Sequence, residues 1–549
     1  MRVILWGQPM RRLSWLVLFS LAIAVIFTAT RLPWFRGTRT GVDPRPVPAG
    51  DREIAWLHNP TSFESWDNFV WGVKRAEMAE DGTPSELEVD DAAAFPHRTT
   101  AIPEIVIRRK GYEGSLRIRW YKVTDEATQE AWVNALAARD PAPLAILGGW
   151  SSDRAKELAD AMRDTVWPRS RPLLFLGTAT ADKVDPEDNN ASGDQGPSLI
   201  SVYDQSFRFC FTNRQMADAV TDFVLSDPTL RPGSIGWPGL LAVPTATAGP
   251  LVGLAALAAE TWADWPSFPA FAIEWKDDPY STDLSFKFRE AFLKRTGSAA
   301  GLPRLDMEVN PVPFSTGRMN RPNPVETEVA EHILNNLPPP GTRTVLVVPS
   351  VTAPTRRVLR ALVQGNPAVG RRLVAVTGDG LGVNTFFRDR DFAWPVRSLP
   401  IPIAMFTHAD PFAWDTPGNA AIPPHGYELD PPAPGAVRSS TEDIQLFTRL
   451  ARVVAAGVFP PSATAIVRTP DALATNLHSL KPAFFDAVGN RLSGSGEHIV
   501  VLRPIFPGEA PPSHPHLDAM LEVYGHRGLQ GWQLLHSRAL GHNQAGQPE

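Results

Sequence analysis

The chain of 549 residues holds one cysteine, Cys210. Disulfides within it are therefore impossible, and a cysteine-built metal site is not expected. Cys210 stands among aromatic residues in "FRFCFTN" and reads as a small buried hydrophobe rather than a nucleophile. Charge of one sign is also scarce. The formal net charge is −6, mild for this length, and no long basic run occurs, so nucleic acid is not an expected partner. No P-loop, H-E-x-x-H or G-x-S-x-G sequence is present. "GDGLGV" (378–383) is rich in glycine but lacks the G-x-G-x-x-G spacing of a dinucleotide turn. "HPH" (514–516) sits in a proline-rich loop with no carboxylate or third histidine beside it. No cofactor, no metal and no enzymatic chemistry are expected.

Proline, by contrast, is abundant: 54 residues, about twice the usual share. It gathers in "NLPPPG" (336–341), "DPPAPG" (430–435) and "PGEAPPSHPH" (507–516), which read as surface loops and inserts. Hydrophobic residues at 43% and charged residues at 20% fit a globular chain. One long apolar run exists, the uncharged stretch 13–30, preceded by Arg2, Arg11 and Arg12. As a helix it spans roughly 27 Å, close to the hydrocarbon thickness of a bilayer. The arginines before it favour a cytoplasmic N-terminus. A cleaved signal peptide is the rival reading, but no A-x-A-like site follows the run, and no cysteine follows it for lipid attachment. The expectation is an uncleaved single-pass anchor (1–30) in the cytoplasmic (inner) membrane and a tether (31–50), with the bulk of the chain in the periplasm.

Beyond the tether, strand-like and helix-like segments alternate. "EIAWLH" (53–58) precedes a helical pattern over 65–79, and "SLRIRWYKV" (115–123) precedes one over 126–139. "LAILGGWSSDRAKELADAM" (144–162) joins a strand, a glycine turn and an amphipathic helix in one stretch. "PLLFLGTAT" (172–180), "SFRFCF" (206–211), "AFAIEW" (270–275), "TRTVLVVPS" (342–350), "RRLVAVTGDGLG" (371–382) and "IPIAMFTHAD" (401–410) read as further buried strands, and 440–457 as a long helix. Residues 484–505 read as a hairpin or meander. Such alternation predicts parallel sheets with helices on both faces.

Four of these stretches, in this order, resemble the type I periplasmic binding proteins, in the leucine/isoleucine/valine-binding branch of ABC transporter components. They are 144–162, "RPLLFLGTATADKV", "SFRFCFTNRQMADAVTDFV" and "AIEWKDDPYSTDLSFKFREAF"; "VTGDGL" is a fifth, weaker match. The resemblance implies an α/β fold of two parallel-sheet, Rossmann-like lobes joined by three crossovers, with a ligand held between them. Lobe one is expected over 51–212 and 350–458, lobe two over 213–349 and 459–540.

Carried over residue by residue, the resemblance points to Ser151 and Ser152 at a helix N-terminus, where free N–H groups and the helix dipole attract a carboxylate. One of the two is also the expected N-cap. Thr178 and Thr180 stand at the next strand tip, Tyr280 in "DDPYS" closes from lobe two, and Trp150 and Asp379 are further candidates, as a lid and as a turn residue facing the cleft. Amino-acid binders of the family pair the ligand's ammonium with an acidic residue on a lobe-two loop. The stretch where that residue is expected, 311–324, carries Arg318 and Arg321 and no carboxylate before Glu326. A ligand that is a carboxylate or a neutral amide is therefore expected rather than a branched-chain amino acid. The leading expectation is a membrane-tethered binding protein that delivers a small polar solute (amino acid, amide or carboxylate) to an ABC permease. The alternative is a sensor or scaffold of the cell envelope that kept the fold without transport.

Overall fold

The apolar runs that end in small polar residues are strands, and they sort into two sheets. A computed structural model describes residues 42–541 except 62, 80–82, 99, 185–196, 235–266, 277, 297–303, 314–322, 383–395, 397, 412–440, 493–497 and 507–516. The expected anchor, most of the tether, Arg318, Arg321 and the histidines of 514–516 lie outside the described residues. No helix among those described is long and apolar enough to cross a membrane.

The first sheet holds β1 (Arg52–His58), β2 (Leu87–Asp90), β3 (Glu104–Arg109), β4 (Leu116–Lys122), β5 (Ala145–Gly148), β6 (Leu173–Leu176) and β7 (Ser206–Arg208), in the order β2-β3-β4-β1-β5-β6-β7. From β4 to β7 the strands are parallel; β2 and β3 add an antiparallel edge that the sequence pattern does not announce. Parallel strands are covered on both faces, which is why β5 and β6 are continuously apolar, whereas β1 and β4 also carry Glu53, Arg117 and Arg119. One face packs on α1 (Phe63–Arg75), α8 (Thr441–Val458) and α9 (Pro470–His478), through Trp56, Trp66, Phe69, Phe447 and Leu473. The other packs on α2 (Gln129–Ala137) and α3 (Ser152–Asp164), through Leu57, Trp132, Leu158 and Met162.

The second sheet runs β10 (Leu305–Pro313), β9 (Phe268–Lys276), β11 (Thr342–Val347), β12 (Leu373–Thr377), β13 (Ile403–Thr407), β14 (His498–Pro504), β15 (Leu517–His526), β16 (Trp532–Gly541), with β8 (Gly233–Ser234) beside β11. The strands from β10 to β13 are parallel; β14 to β16 form an antiparallel meander. Its faces are covered by α4 (Asn213–Ser226) with α5 (Pro279–Arg295), and by α6 (Pro324–Asn335) with α7 (Thr352–Gly365).

The chain passes between the two units three times: from β7 to α4, from β13 to α8, and from Leu492 to β14. The boundaries differ from the expected ones. Residues 373–377 and 403–407 were expected in lobe one but are strands of the second sheet. Ile466, Leu473, Leu477 and Phe485, expected in lobe two, pack in the first core. An apolar run fixes a buried strand, but it carries no information about which sheet the strand joins.

The N-terminal edge of the first sheet is closed by a buried ion network. Arg119 Nη1 donates to Glu53 Oε2 (2.7 Å), and its Nε donates to Glu104 Oε2 (2.5 Å). Arg139 meets the other oxygen of Glu53 at 2.9 Å, and Arg117 that of Glu104 at 2.7 Å. Glu53 and Arg119 are each 1% exposed, so each desolvated charge depends on its partners. Replacing Arg119 with Met should lower unfolding free energy by about 3 kcal/mol in urea titration, the low end for a broken buried pair, because both carboxylates keep a second arginine. A loss well under 1 kcal/mol would show that the network is not a brace.

Candidate functional site

At the tip of β5 the chain must turn at once into α3. Gly149 makes the turn with φ +70°, and a Cβ there would sit 2.5 Å from the Cβ of Ala155. Ser151 takes the N-cap position in an extended conformation, but its hydroxyl makes no capping bond. It donates instead to Asp153 Oδ1 at 2.5 Å. The hydroxyl of Ser152, 3% exposed, accepts from Ala181 N (3.2 Å) and so ties α3 to the loop after β6. The expected side-chain N-cap is therefore absent: both serines have partners that draw them elsewhere. Thr178 Oγ1 donates to Trp150 O (3.3 Å), joining the tips of β5 and β6. The Trp150 ring lies 4.9 Å from that of His58. These tips enclose a cavity of about 220 Å³ lined among others by Trp56, His58, Trp150, Thr178, Asp443 and Phe447. Burial lowers the His58 imidazole to about 4, so it is neutral at neutral pH.

In the second unit, Asp278 caps α5 by accepting from Tyr280 N at 3.2 Å. The Tyr280 hydroxyl donates to Asp379 Oδ1 (3.2 Å) and accepts from Gly380 N (2.9 Å). A Cβ at Gly378 or Gly380 would lie 2.9 or 3.0 Å from that hydroxyl, so the Gly-Asp-Gly turn is what lets the tyrosine in. Burial, and then the neighbouring Asp379, hold the phenol well above its ordinary value, and it remains a donor. Asp379 Oδ2 accepts from His408 Nε2 at 2.8 Å. The His408 ring, 7% exposed, stacks on Phe211 at 5.7 Å, and its Nδ1 has no partner among the described residues. A chain of hydrogen bonds thus runs from the start of α5 across the tips of β12 and β13, and the His408 ring at its end stacks on the first crossover. Cys210, in that crossover, is buried and pushed up to about 12 by burial, which leaves it an unreactive thiol donating to Ala179 O at 3.3 Å.

Asn213, the first residue of α4, links the two tips. Its N–H donates to Thr180 O (2.8 Å), and its carboxamide donates to Asp283 Oδ2 (2.9 Å) and Tyr280 O (3.3 Å). Asp182 N also donates to Asp283 Oδ2 (2.7 Å), so the loop after β6 in the first unit is bonded to α5 in the second. The starts of α3 and α5 face each other there. Burial raises Asp278 to about 7, with Asp153 across the gap adding to the rise.

Of the seven residues expected at the site, the structure brings Trp150 together with Thr178 and Tyr280 together with Asp379. Ser151 stands at the start of α3, facing α5. Thr180 and Ser152 are buried braces: the Thr180 carbonyl accepts from Asn213 and from Arg208 Nη1 (3.2 Å). Asp379, just past the end of β12, is the carboxylate that stands beside Tyr280, while residues 314–322 lie outside the described residues. Residues 305–313 form the edge strand β10, whereas β12 is central and ends at the site. His58, His408, Asp443 and Asn213 went unsingled in the sequence, since each is a lone polar residue after an apolar run.

No protein-family model matches the chain, and no curated protein matches its sequence. Solved structures do align with it. A leucine-binding protein of Thermotoga maritima is 12% identical over 88% of this chain and 98% of its own, with a TM-score of 0.43. A solute-binding protein of an ABC transporter from R. palustris, in complex with 4-hydroxybenzoate, is 10% identical over 89% of this chain and 96% of its own, also at 0.43. A branched-chain amino acid ABC transporter protein from Thermus thermophilus with bound valine is 10% identical over 90% and 98%, at 0.40.

The Asn213–Asp283 bond gives a pH test. Burial, and then Asp182 beside it, raise Asp283 from an ordinary 3.8 to about 7, while Lys287 opposes the rise. Because the folded value lies above the unfolded one, stability falls as pH rises from about 4 to about 7. Asp283→Asn keeps an acceptor for Asp182 N and removes the charge. The variant should gain thermal midpoint relative to the parent at pH 8 and little at pH 4; an equal change at both would refute the assignment.

Proposed function

We propose that this chain is a periplasmic solute-binding protein that captures a small polar molecule between its two units and presents it to an ABC-type permease. One observation carries the reading: two strand tips of different chemistry, Trp150–Thr178 and Tyr280–Asp379–His408, are linked through Asn213 across the crossovers. Ligands of open α/β sheets bind outside the carboxyl ends of the strands, and a two-unit protein has such an edge on each side of its cleft. Motion about the crossovers would open and close that cleft. The polar groups are held by backbone and side-chain bonds rather than aimed at one another as nucleophile and base, which favours binding over catalysis. The apolar run 13–30, with its arginines, supports a membrane tether that keeps the protein near its permease.

The test is native mass spectrometry of the purified full chain with a panel of amino acids, amides, amines and aromatic acids. A one-to-one complex is expected, and Tyr280→Phe should weaken it by about tenfold, the scale of one lost hydrogen bond in a buried site. Failure to bind any member of the panel, with the chain folded, would favour a scaffold role in the envelope instead.

A further inference from the structure

Four aromatic side chains line the cavity at the tip of the first sheet: Trp56, His58, Trp150 and Phe447. The His58 ring stands between two indoles, 4.9 Å from the ring of Trp56 and 4.9 Å from that of Trp150. The Phe447 ring meets Trp56 edge-on at 6.4 Å. His58 is 7% exposed, and burial keeps it neutral at neutral pH. Its Nδ1 lies 3.4 Å from Asn59 O. A bare nitrogen there would set two lone pairs against each other, so the hydrogen sits on Nδ1 and Nε2 is an acceptor. That Nε2 has no partner among the described residues. Thr178 spends its hydroxyl hydrogen on Trp150 O and keeps only lone pairs for a guest. The cavity thus offers aromatic faces and hydrogen-bond acceptors.

An anion would meet lone pairs there, and no lysine or arginine is among the described residues that line the cavity. An ammonium would find the carboxylate of the lining, Asp443, already engaged in an interaction of its own. A saturated apolar body would leave the buried acceptors unsatisfied. An uncharged aryl ring that bears an O–H or N–H group meets both demands. Its face packs on the indoles in offset or edge-on geometry, and its donor answers Nε2. The size agrees as well. A cavity of about 150 Å³ holds benzene, and this one, at about 220 Å³, has room for one ring with a small substituent.

We propose that this cavity takes an uncharged aryl ring carrying one hydrogen-bond donor, a phenol or an aniline-type N–H, among Trp56, Trp150 and Phe447 with His58 Nε2 as its acceptor. This rests on the solute-binding reading and names the group that the solute places in the first unit. The cavity walls come from the first unit alone, so the second unit, with Asp379 and the Tyr280 hydroxyl, is left to close on the rest of the molecule.

Isothermal titration calorimetry on the purified full chain tests it with four probes: phenol, fluorobenzene, cyclohexanol and benzoate. Fluorobenzene keeps the ring and lacks the donor, cyclohexanol keeps the donor and lacks the aryl face, and benzoate carries a negative charge. Phenol should bind at least about tenfold more tightly than each of the others, the scale of a hydrogen bond whose loss leaves a buried acceptor unpaired. His58→Phe keeps a ring and removes the acceptor. It should weaken phenol by about tenfold and leave fluorobenzene nearly unchanged, a split that a damaged fold would not produce. Trp150→Ala should weaken phenol and fluorobenzene alike. A smaller margin over any of the three, or phenol binding indifferent to His58→Phe, would overturn the proposal. Should none of the four bind while a leucine or amide probe does, the ligand class fails and the solute-binding reading stands; should nothing bind, both fail.

Discussion

Asn213 holds the two halves of this molecule in register through its backbone N–H and its carboxamide together. It is fully buried at the start of α4, where the chain has just crossed from the first unit to the second. Its backbone grips the loop after β6, and its side chain grips α5. The capping box of Thr212 and Gln215 fixes the helix that presents it. Because Ser152 holds Ala181 and Arg208 holds the carbonyls of Thr180 and Ala181, the loop is rigid on its own side. A displacement at Asn213 therefore transmits directly to the spacing between the Trp150 and Tyr280 tips.

The two tips do different work. The first is a cavity walled by aromatic rings, whose His58 has been made neutral by burial. The second is a chain of hydrogen bonds in which Asp379 accepts from Tyr280 and from His408, whose ring stacks on Phe211 and whose Nδ1 has no partner among the described residues. In a low-dielectric cleft a preset polar chain costs little to reorganise when a ligand arrives. In the binding role proposed above, the second unit would orient a ligand and the first would shape its cavity.

Much of the fold is legible in the sequence because parallel strands and their helices write strong patterns. The runs at 54–57, 173–176, 373–376 and 403–406 are apolar end to end since both faces of each strand are covered. The edge strands β2 and β3 escape notice, because "LEVD" and "EIVIRR" mix charge with short apolar runs. Sheet membership of β12 and β13 is a long-range fact with no local signature. The site follows the same rule. Tyr280 and Asp379 are marked by their turns, Asp-x-Tyr before a helix and Gly-Asp-Gly after a strand, so sequence singles them out. Asp443 and His58 reach the cavity only through the packing of α8 and of β1, which no spacing along the chain encodes. The hydroxyl of Ser151 donates to Asp153 rather than accepting from a helix N–H, a choice between two close partners that sequence leaves open.

The account's central claim is that one bound molecule engages both strand tips at once. Amide hydrogen exchange on the full chain, measured with and without a saturating solute, tests it most directly. The claim predicts that 150–153 in the first unit and 378–380 in the second gain protection together, at the same solute concentration. Protection confined to one unit, or appearing at neither tip while the solute is bound, would contradict it.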